Sequence, residues 1–296
     1  MHLKKQEKKG MCEIKILVAT HKNSQFPVNE IYLPIHVGRK ISKHVLGIQG
    51  DDEGENISVK NPYYCELTAI YWAWKNLSAD YIGLCHYRRY FNFEDKHFRK
   101  GNNTKKDFNN IESLAPEKKQ LVKILNKYDI IITKKKIYPH SLELDYKSEH
   151  IPEDLEILTR ILKTKYPDYY LPWVDIMKYN NKLNHYNMFI CKAELFQNYC
   201  EWLFSVLWDC EREIKLSPYI YQQRVFGFLA ERLLLLYCHK NNLKSIQYPI
   251  VFIDENSITN PRYIRIKNLF KNFAFYLQTP DLIITRLRNS FFSKSD

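Results

Sequence analysis

Strand-length apolar runs and helix-period stretches alternate along this chain. Glu13 to Thr20 (EIKILVAT) is a nearly continuous apolar run followed by polar His21-Lys22-Asn23, and it reads as a buried first strand. Residues 24–60 show no clear period and read as irregular, with an acidic turn, GDDEGEN, at 50–56. Asn61-Pro62 is a helix start, a capping residue followed by proline at the first helical position, and a helix over Tyr63–Leu77 follows. Asp80–Cys85 is a second strand, and residues 92–116 are polar and read as a loop. Leu121–Tyr128 has helical character, and Asp129–Thr133 is a third strand. Residues 134–152 read as a loop and Pro152–Thr164 as a helix. Tyr186–Cys191 reads as a strand, and Glu194–Trp208 as an amphipathic helix with apolar residues at 195, 196, 199, 202, 203, 206 and 207. A helix over Arg224–His239 and a strand over Ser245–Phe252 close the pattern. This alternation predicts an α/β domain whose mainly parallel central sheet is flanked by helices. No internal repeat is visible.

Composition adds limits. The length of 296 residues fits one large α/β domain, or one domain with a tail. Eight glycines are few for that length and argue against glycine-rich nucleotide loops. A net charge of +12 points to acidic partners: nucleic acid, an anionic membrane or phosphorylated substrates. The seven cysteines include no C-x-x-C pair and read as free thiols in a reducing compartment. The start, Met1-His2-Leu3-Lys4-Lys5, has no apolar signal-peptide segment, and no stretch is apolar enough to span a bilayer. Residues 1–12 are basic and read as disordered. Residues 261–296 interleave basic residues with Phe270, Phe273, Phe275, Phe291 and Phe292, the pattern of an amphipathic tail on an anionic membrane. The competing reading is a C-terminal helix packed on the domain.

Candidate chemistry concentrates in Asp80–Phe91 (DYIGLCHYRRYF). An apolar run there ends in His86, Tyr87, Arg88 and Arg89. Arginine's planar fork matches phosphate oxygens, and His86 adds a group that titrates near neutrality. The run reads as an anion site at the carboxyl end of a sheet strand, where α/β proteins bind ligands; a solvated strand end is the bland alternative. Thr20, His21 and Lys22 sit at the corresponding end of the first strand. Asp51 and Asp52 could hold a ribose or a divalent ion, or be a solvated turn. Glu66 lies on an apolar helix stripe and needs either a cationic partner, with Arg88 and Arg89 as candidates, or a crevice to face. His185 and Asn187 would share one face of a strand and line a polar pocket, unless His185 is a core histidine. Arg224, Gly227 and Glu231 fall on one helix face, and the glycine costs helix stability unless something must approach closely. No nucleophile elbow, P-loop, zinc cluster, Rossmann fingerprint or D-x-D sequence is present.

NISVKNPYYCELTAIYWAWKN, DYIGLCHYRRYF, NMFI, YCEWLF and RVFGFLAERLL occur in this order. With these runs the chain resembles the bacterial capsular and exopolysaccharide glycosyltransferases long filed as a domain of unknown function, from about Lys15 to Asp254. The resemblance implies a GT-A-like domain over 13–260. It implies transfer of a hexose, galactose or galactofuranose favoured, from a UDP-sugar to a lipid-linked glycan in capsular, exo- or lipopolysaccharide synthesis. The enzyme would work at the inner, cytoplasmic face of the plasma membrane. GT-A enzymes normally hold a metal with a D-x-D motif; here His86-Tyr87-Arg88-Arg89 takes that place. Arg88 and Arg89 would then neutralise the leaving diphosphate without a metal, with Mn2+ or Mg2+ as the alternative. His86 would donate to a phosphate or sugar hydroxyl. Thr20, His21, Lys22, Asp51 and Asp52 would line the nucleoside pocket, and His185 and Asn187 would contact the sugar. Glu231 would be the general base, with Asp145, Glu149 and Asp175 as rivals. Tyr146 and His150 would close over the donor, and Glu66, Tyr87 and Arg224 complete the substrate-binding set. Two other readings are a non-catalytic scaffold of a polysaccharide assembly complex and a nucleic-acid binder. Scattered basic residues and the lack of an RNP-like motif count against nucleic acid.

Overall fold

The computed structural model describes residues 12–93, 104–106, 108–253 and 261–278. The expected disorder of the N-terminus, apart from Cys12, and the tail beyond residue 278 lie outside the described residues. The chain opens with strands β1 (Ile14–Thr20), β2 (Tyr32–His36) and β3 (Gln49–Gly50). Helices α1 (Asn61–Tyr64) and α2 (Leu67–Asn76) precede β4 (Tyr81–His86), β5 (Arg89–Phe91) and β6 (Thr104–Lys106). Next come α3 (Lys118–Leu125), β7 (Ile130–Thr133), β8 (Lys136–Ile137), α4 (Leu142–Glu149), α5 (Pro152–Lys165) and α6 (Pro167–Tyr179). The rest is β9 (Lys182–Leu183), β10 (Phe189–Lys192), α7 (Ala193–Glu211), α8 (Val225–Lys240), β11 (Ser245–Tyr248), β12 (Ile250–Ile253) and α9 (Pro261–Gln278).

The main sheet runs β11-β7-β10-β4-β1-β2-β3. Its neighbours are parallel except where β10 runs antiparallel to both β4 and β7. Alternate residues of β1 enter two separate cores: Leu17 and Ala19 join the larger, Ile14, Ile16 and Val18 the smaller. That period of two with both faces buried is why the strand reads as one unbroken apolar run. Gly83 lets β10 come close, because a Cβ there would meet the Phe189 carbonyl oxygen at 2.6 Å and Ile190 Cγ1 at 2.7 Å.

Several boundaries differ from the sequence expectation. The helix expected over Tyr63–Leu77 is two helices, broken at Cys65, whose φ is +51°. The irregular stretch 24–60 contains β2 and β3, and the loop 134–152 contains β8 and α4. Ser141 caps α4 by accepting from the Leu144 N–H. The strand expected from Tyr186 begins only at Phe189, because Tyr186 (φ +76°) and Asn187 (φ +52°) are left-handed. The last strand divides at Pro249, which has no N–H to give a ladder. α9 packs on the domain: Phe275 is buried, Lys271 Nζ donates to the Ile137 carbonyl at 3.2 Å, and Asn272 Oδ1 accepts from Asn181 at 3.2 Å. Its outer face still exposes Leu269, Phe270, Phe273 and Leu277, each 63–69% accessible. No described helix is long and apolar enough to cross a membrane.

Candidate functional site

A cleft of about 830 Å3 opens where β1 and β4 end, closed on its far side by α4 and the first turns of α8. That size falls in the range of about 300–1,000 Å3 usual for small-ligand sites. β4 does not fray into solvent. It turns back through Tyr87-Arg88 into β5, with His86 opposite Arg89, and the Tyr87 N–H bonds to the Ala19 carbonyl at 3.2 Å. This two-residue turn brings His86, Tyr87, Arg88 and Arg89 to the cleft wall together.

Four arginines line the cleft; Arg232 is tied to Asp145 and Glu231, which leaves Arg88, Arg89 and Arg224. Arg89 lies 4.5 Å above the Tyr186 ring, and its Nε is buried without a hydrogen-bond partner. Arg88 is exposed, 5.2 Å from the Tyr87 ring. Arg224 donates from Nε to Cys65 Sγ at 3.2 Å and sits 5.5 Å from the Phe228 ring. Among the described residues none of the three pairs with a carboxylate. Cations left unpaired in a concave site are arranged for an anion brought from outside.

The cleft floor is a strained knuckle. Two successive non-glycine residues with positive φ cost about 1–3 kcal/mol each, and they hold four connections. Tyr186 N–H donates to Glu231 Oε1 at 2.7 Å, and its carbonyl accepts from His86 Nε2 at 2.7 Å. Asn187 Nδ2 donates to Glu66 Oε1 at 2.7 Å and to the Gly227 carbonyl at 3.1 Å. Gly227 is where helix α8 meets Cys65: a Cβ would sit 3.4 Å from its Sγ.

These partners correct several expected roles. A carbonyl only accepts, so His86 Nε2 must carry the proton it shares with Tyr186. Burial, aided by the Arg89 charge and opposed by Glu66, holds that imidazole below its usual range. The neutral ring then has only Nδ1 left, an acceptor, so His86 is not a phosphate donor. Burial alone would raise the Glu231 carboxyl, but His185, Arg232 and the Tyr186 N–H outweigh it and bring the group down to about 2. Glu231 is therefore a committed counter-ion and a poor proton acceptor. Of its rivals, Asp145 is buried against Arg232 at 3.2 Å, Glu149 lines the cleft, and Asp175 is exposed on α6 away from it.

The nucleoside-pocket residues fare unevenly. His21 lines the cleft, edge-on to Tyr87 at 5.7 Å. Thr20 is buried and its hydroxyl donates to the Lys22 carbonyl at 2.6 Å; neither residue lines the cleft. Asp51 is buried and accepts from the N–H groups of Gly38 (2.8 Å) and Arg39 (3.1 Å) and from Ser58 Oγ (2.5 Å). Asp52 lies 3.5 Å from Arg39 Nε. These carboxylates cap their own loop instead of facing a ligand. Asn187 and Tyr146 are buried outside the cleft lining, so neither contacts a ligand there. Glu66, His150, His185 and Arg224 do line it. His150 stacks on Phe228 at 4.0 Å, and burial with the Arg232 charge pushes its ring down to about 4.

Sequence reasoning missed Tyr138, Lys136, Tyr186, Tyr221 and Arg232, which also line the cleft. Arg232 had a usable signal: one cation inside the apolar helix run LAERLLLL must find buried partners. It finds Asp145, Glu231 and the Phe228 carbonyl.

The fold and cleft define an α/β domain that presents unpaired arginines at the carboxyl ends of its first sheet strands. The chain belongs to the family described as a domain of unknown function, DUF4422, which matches residues 15–242. It is similar to a solved structure described as a WbbM bifunctional glycosyltransferase in its apo form, with a TM-score of 0.75 and 32% identity. The match covers 84% of this chain and 47% of that one, so this chain spans about half of its length. The fold is accordingly GT-A-like. No curated protein matches the chain.

Proposed function

We propose that this protein is a glycosyltransferase taking its sugar from a nucleoside diphosphate donor. The observation that carries the reading is the wall of Arg88, Arg89 and Arg224, which has cationic forks but no carboxylate partners among the described residues. A diphosphate supplies the missing anion, and its charge grows as the glycosidic bond to it breaks, which is where fixed cations stabilise a transition state. The similarity to a bifunctional glycosyltransferase supports the class.

The described cleft residues do not fit a metal: no group of three or more His, Cys, Asp or Glu side chains is gathered for one among the described residues. Asp145 and Glu231 are held by Arg232, and Glu66 by Asn187. In this reading charge neutralisation falls to the arginines. We assign the donor as a UDP-hexose, with galactose or galactofuranose favoured, and the acceptor as a lipid-linked glycan in capsular, exo- or lipopolysaccharide synthesis. α9, with four basic and no acidic residues in Pro261–Gln278 and an exposed apolar face, supports work at an anionic inner membrane surface.

The test is thermal unfolding with a panel of nucleotide sugars, with and without Mn2+ or EDTA. A ligand at 100 times its Kd adds about 2.7 kcal/mol. Stabilisation by a UDP-sugar that survives EDTA and disappears in Arg88→Ala/Arg89→Ala is the expected result. Stabilisation only with Mn2+ overturns the arginine role, and none with any donor overturns the class. Hydrolysis of the bound donor separates an enzyme from a non-catalytic scaffold.

A further inference from the structure

The cleft also holds a chain of three groups that the diphosphate reading leaves unused: Glu231, His185 and Tyr138. His185 Nδ1 lies 3.2 Å from Glu231 Oε2, and its Nε2 lies 2.6 Å from the Tyr138 hydroxyl. An ionised carboxylate only accepts, so whenever the ring is neutral its one proton sits on Nδ1 and Nε2 keeps its lone pair. The Tyr138 hydroxyl then donates to Nε2 and keeps its own oxygen lone pairs for a further donor. Glu231 cannot swing away, because the Tyr186 N–H holds Oε1 at 2.7 Å. Tyr186, the next residue after His185, lays its ring against the Arg89 guanidinium at 4.5 Å. His185, the middle of the three, is thus linked through Tyr186 to the anion wall.

We propose that His185 is the general base of sugar transfer, oriented by Glu231 and reached through the Tyr138 hydroxyl. This rests on the nucleotide-sugar reading above. The acceptor hydroxyl attacks the anomeric carbon. Its proton passes to the Tyr138 oxygen while the Tyr138 proton passes to His185 Nε2. The new C–O bond forms as the C–O bond to the diphosphate breaks, and that electron pair leaves on UDP. The resulting imidazolium faces the Glu231 carboxylate. Attack from the side opposite the leaving group requires inversion at the anomeric carbon.

The test uses the full chain with His185→Gln, Tyr138→Phe and Glu231→Gln. It reads steady-state transfer, UDP binding by calorimetry, thermal unfolding and the anomeric configuration of the product. His185→Gln and Tyr138→Phe are expected to lower kcat by about 10²–10⁴-fold, the usual worth of a general base, while UDP affinity holds. Glu231→Gln presents an N–H to Nδ1 and moves the ring proton to Nε2. Its ¹⁵N ring shifts should report that switched tautomer, with kcat falling and KM held. Tyr138→Phe removes a single oxygen and carries the test if His185→Gln does not fold. A kcat above one third of wild type in either variant overturns the proposal, and so does retained configuration. UDP binding with unchanged kcat in the variants sinks the base alone. A wild-type chain that binds neither UDP nor any UDP-sugar sinks the nucleotide-sugar reading and this inference with it.

Discussion

Replacing Arg89 with methionine separates a ligand-binding cation from a structural one. The Arg89 guanidinium has no carboxylate partner among the described residues, and its contacts are the Tyr186 ring at 4.5 Å and the Phe252 ring at 6.0 Å. A cation–π contact of this kind contributes about 0.5–1 kcal/mol, offset in part by relief of repulsion from neighbouring Arg88. At about 2–4 °C per kcal/mol for a chain this long, the Tm should fall by no more than about 4 °C. The donor feels the change far more. One charge-assisted hydrogen bond to a phosphate oxygen is worth about 1.5–3 kcal/mol, which at about 1.4 kcal/mol per decade is roughly a 10- to 100-fold rise in Kd. Arg89→Lys keeps the charge but not the fork and should fall between. Calorimetry with UDP reads the Kd. Arg160→Met is the control, since Arg160 pairs with Glu213 and does not line the cleft. A Kd for Arg89→Met within threefold of wild type would refute the assignment, and so would an equal loss in Arg160→Met.

Three further outcomes follow from the same contacts. Arg232→Met leaves buried Asp145 without its cation and should cost about 3–5 kcal/mol in chemical denaturation, with part recovered in Arg232→Met/Asp145→Asn; a loss under 1 kcal/mol contradicts the buried network. His150 is held down to about 4, below an unfolded value near 6.5, so the unfolded chain takes up its proton first and stability falls as pH drops from about 6.5 to 4. His150→Phe should flatten that part of the stability profile, and an unchanged slope would sink the assignment. Phe270→Ser/Phe273→Ser should weaken co-sedimentation with phosphatidylglycerol vesicles by tenfold or more, since each buried phenylalanine is worth about 1.5–3 kcal/mol; equal binding to neutral vesicles would show that charge plays no part.

The legible elements were those whose burial is periodic or complete. β1, β4 and β7 are apolar on both faces and read directly from the chain, and α5, α7 and α8 carry long apolar stripes. β2 was hidden by Pro34 and His36 inside YLPIH, α4 by LELDYKSE with its weak stripe, and α6 by Pro172 in its interior. The split at Pro249 was available in principle, since proline interrupts a ladder. At the site, the strand-end pair Arg88 and Arg89 and the helix-face residue Arg224 were picked out by residue type and position, and all three line the cleft. Residue type failed for Asp51 and Glu231. A carboxylate that caps its own loop and one that faces a ligand look alike in sequence, and only the partners, Gly38 and Ser58 or His185 and Arg232, tell them apart.

The left-handed Tyr186 gives the most discriminating argument about why this cleft is built as it is. A large residue at φ +76° is strained by roughly 1–2 kcal/mol, and glycine there would relieve that strain. The backbone bonds to His86 and Glu231 use only the Tyr186 carbonyl and N–H, so glycine retains both. What glycine loses is the half-buried ring against Arg89 and Phe252. A buried aromatic in a core normally costs about 3–5 kcal/mol on truncation. The Tyr186 ring is only half-buried, so it loses less than a core ring does, relieved strain offsets part of that loss, and Tyr186→Gly should unfold only a few degrees below wild type. Its UDP affinity should nevertheless fall, because Arg89 loses the surface that fixes its fork. A Tm drop typical of a core truncation, with UDP binding intact, would mean that the tyrosine serves the fold. A drop of only a few degrees with weakened binding would mean that the strain is retained for the anion it positions Arg89 to meet.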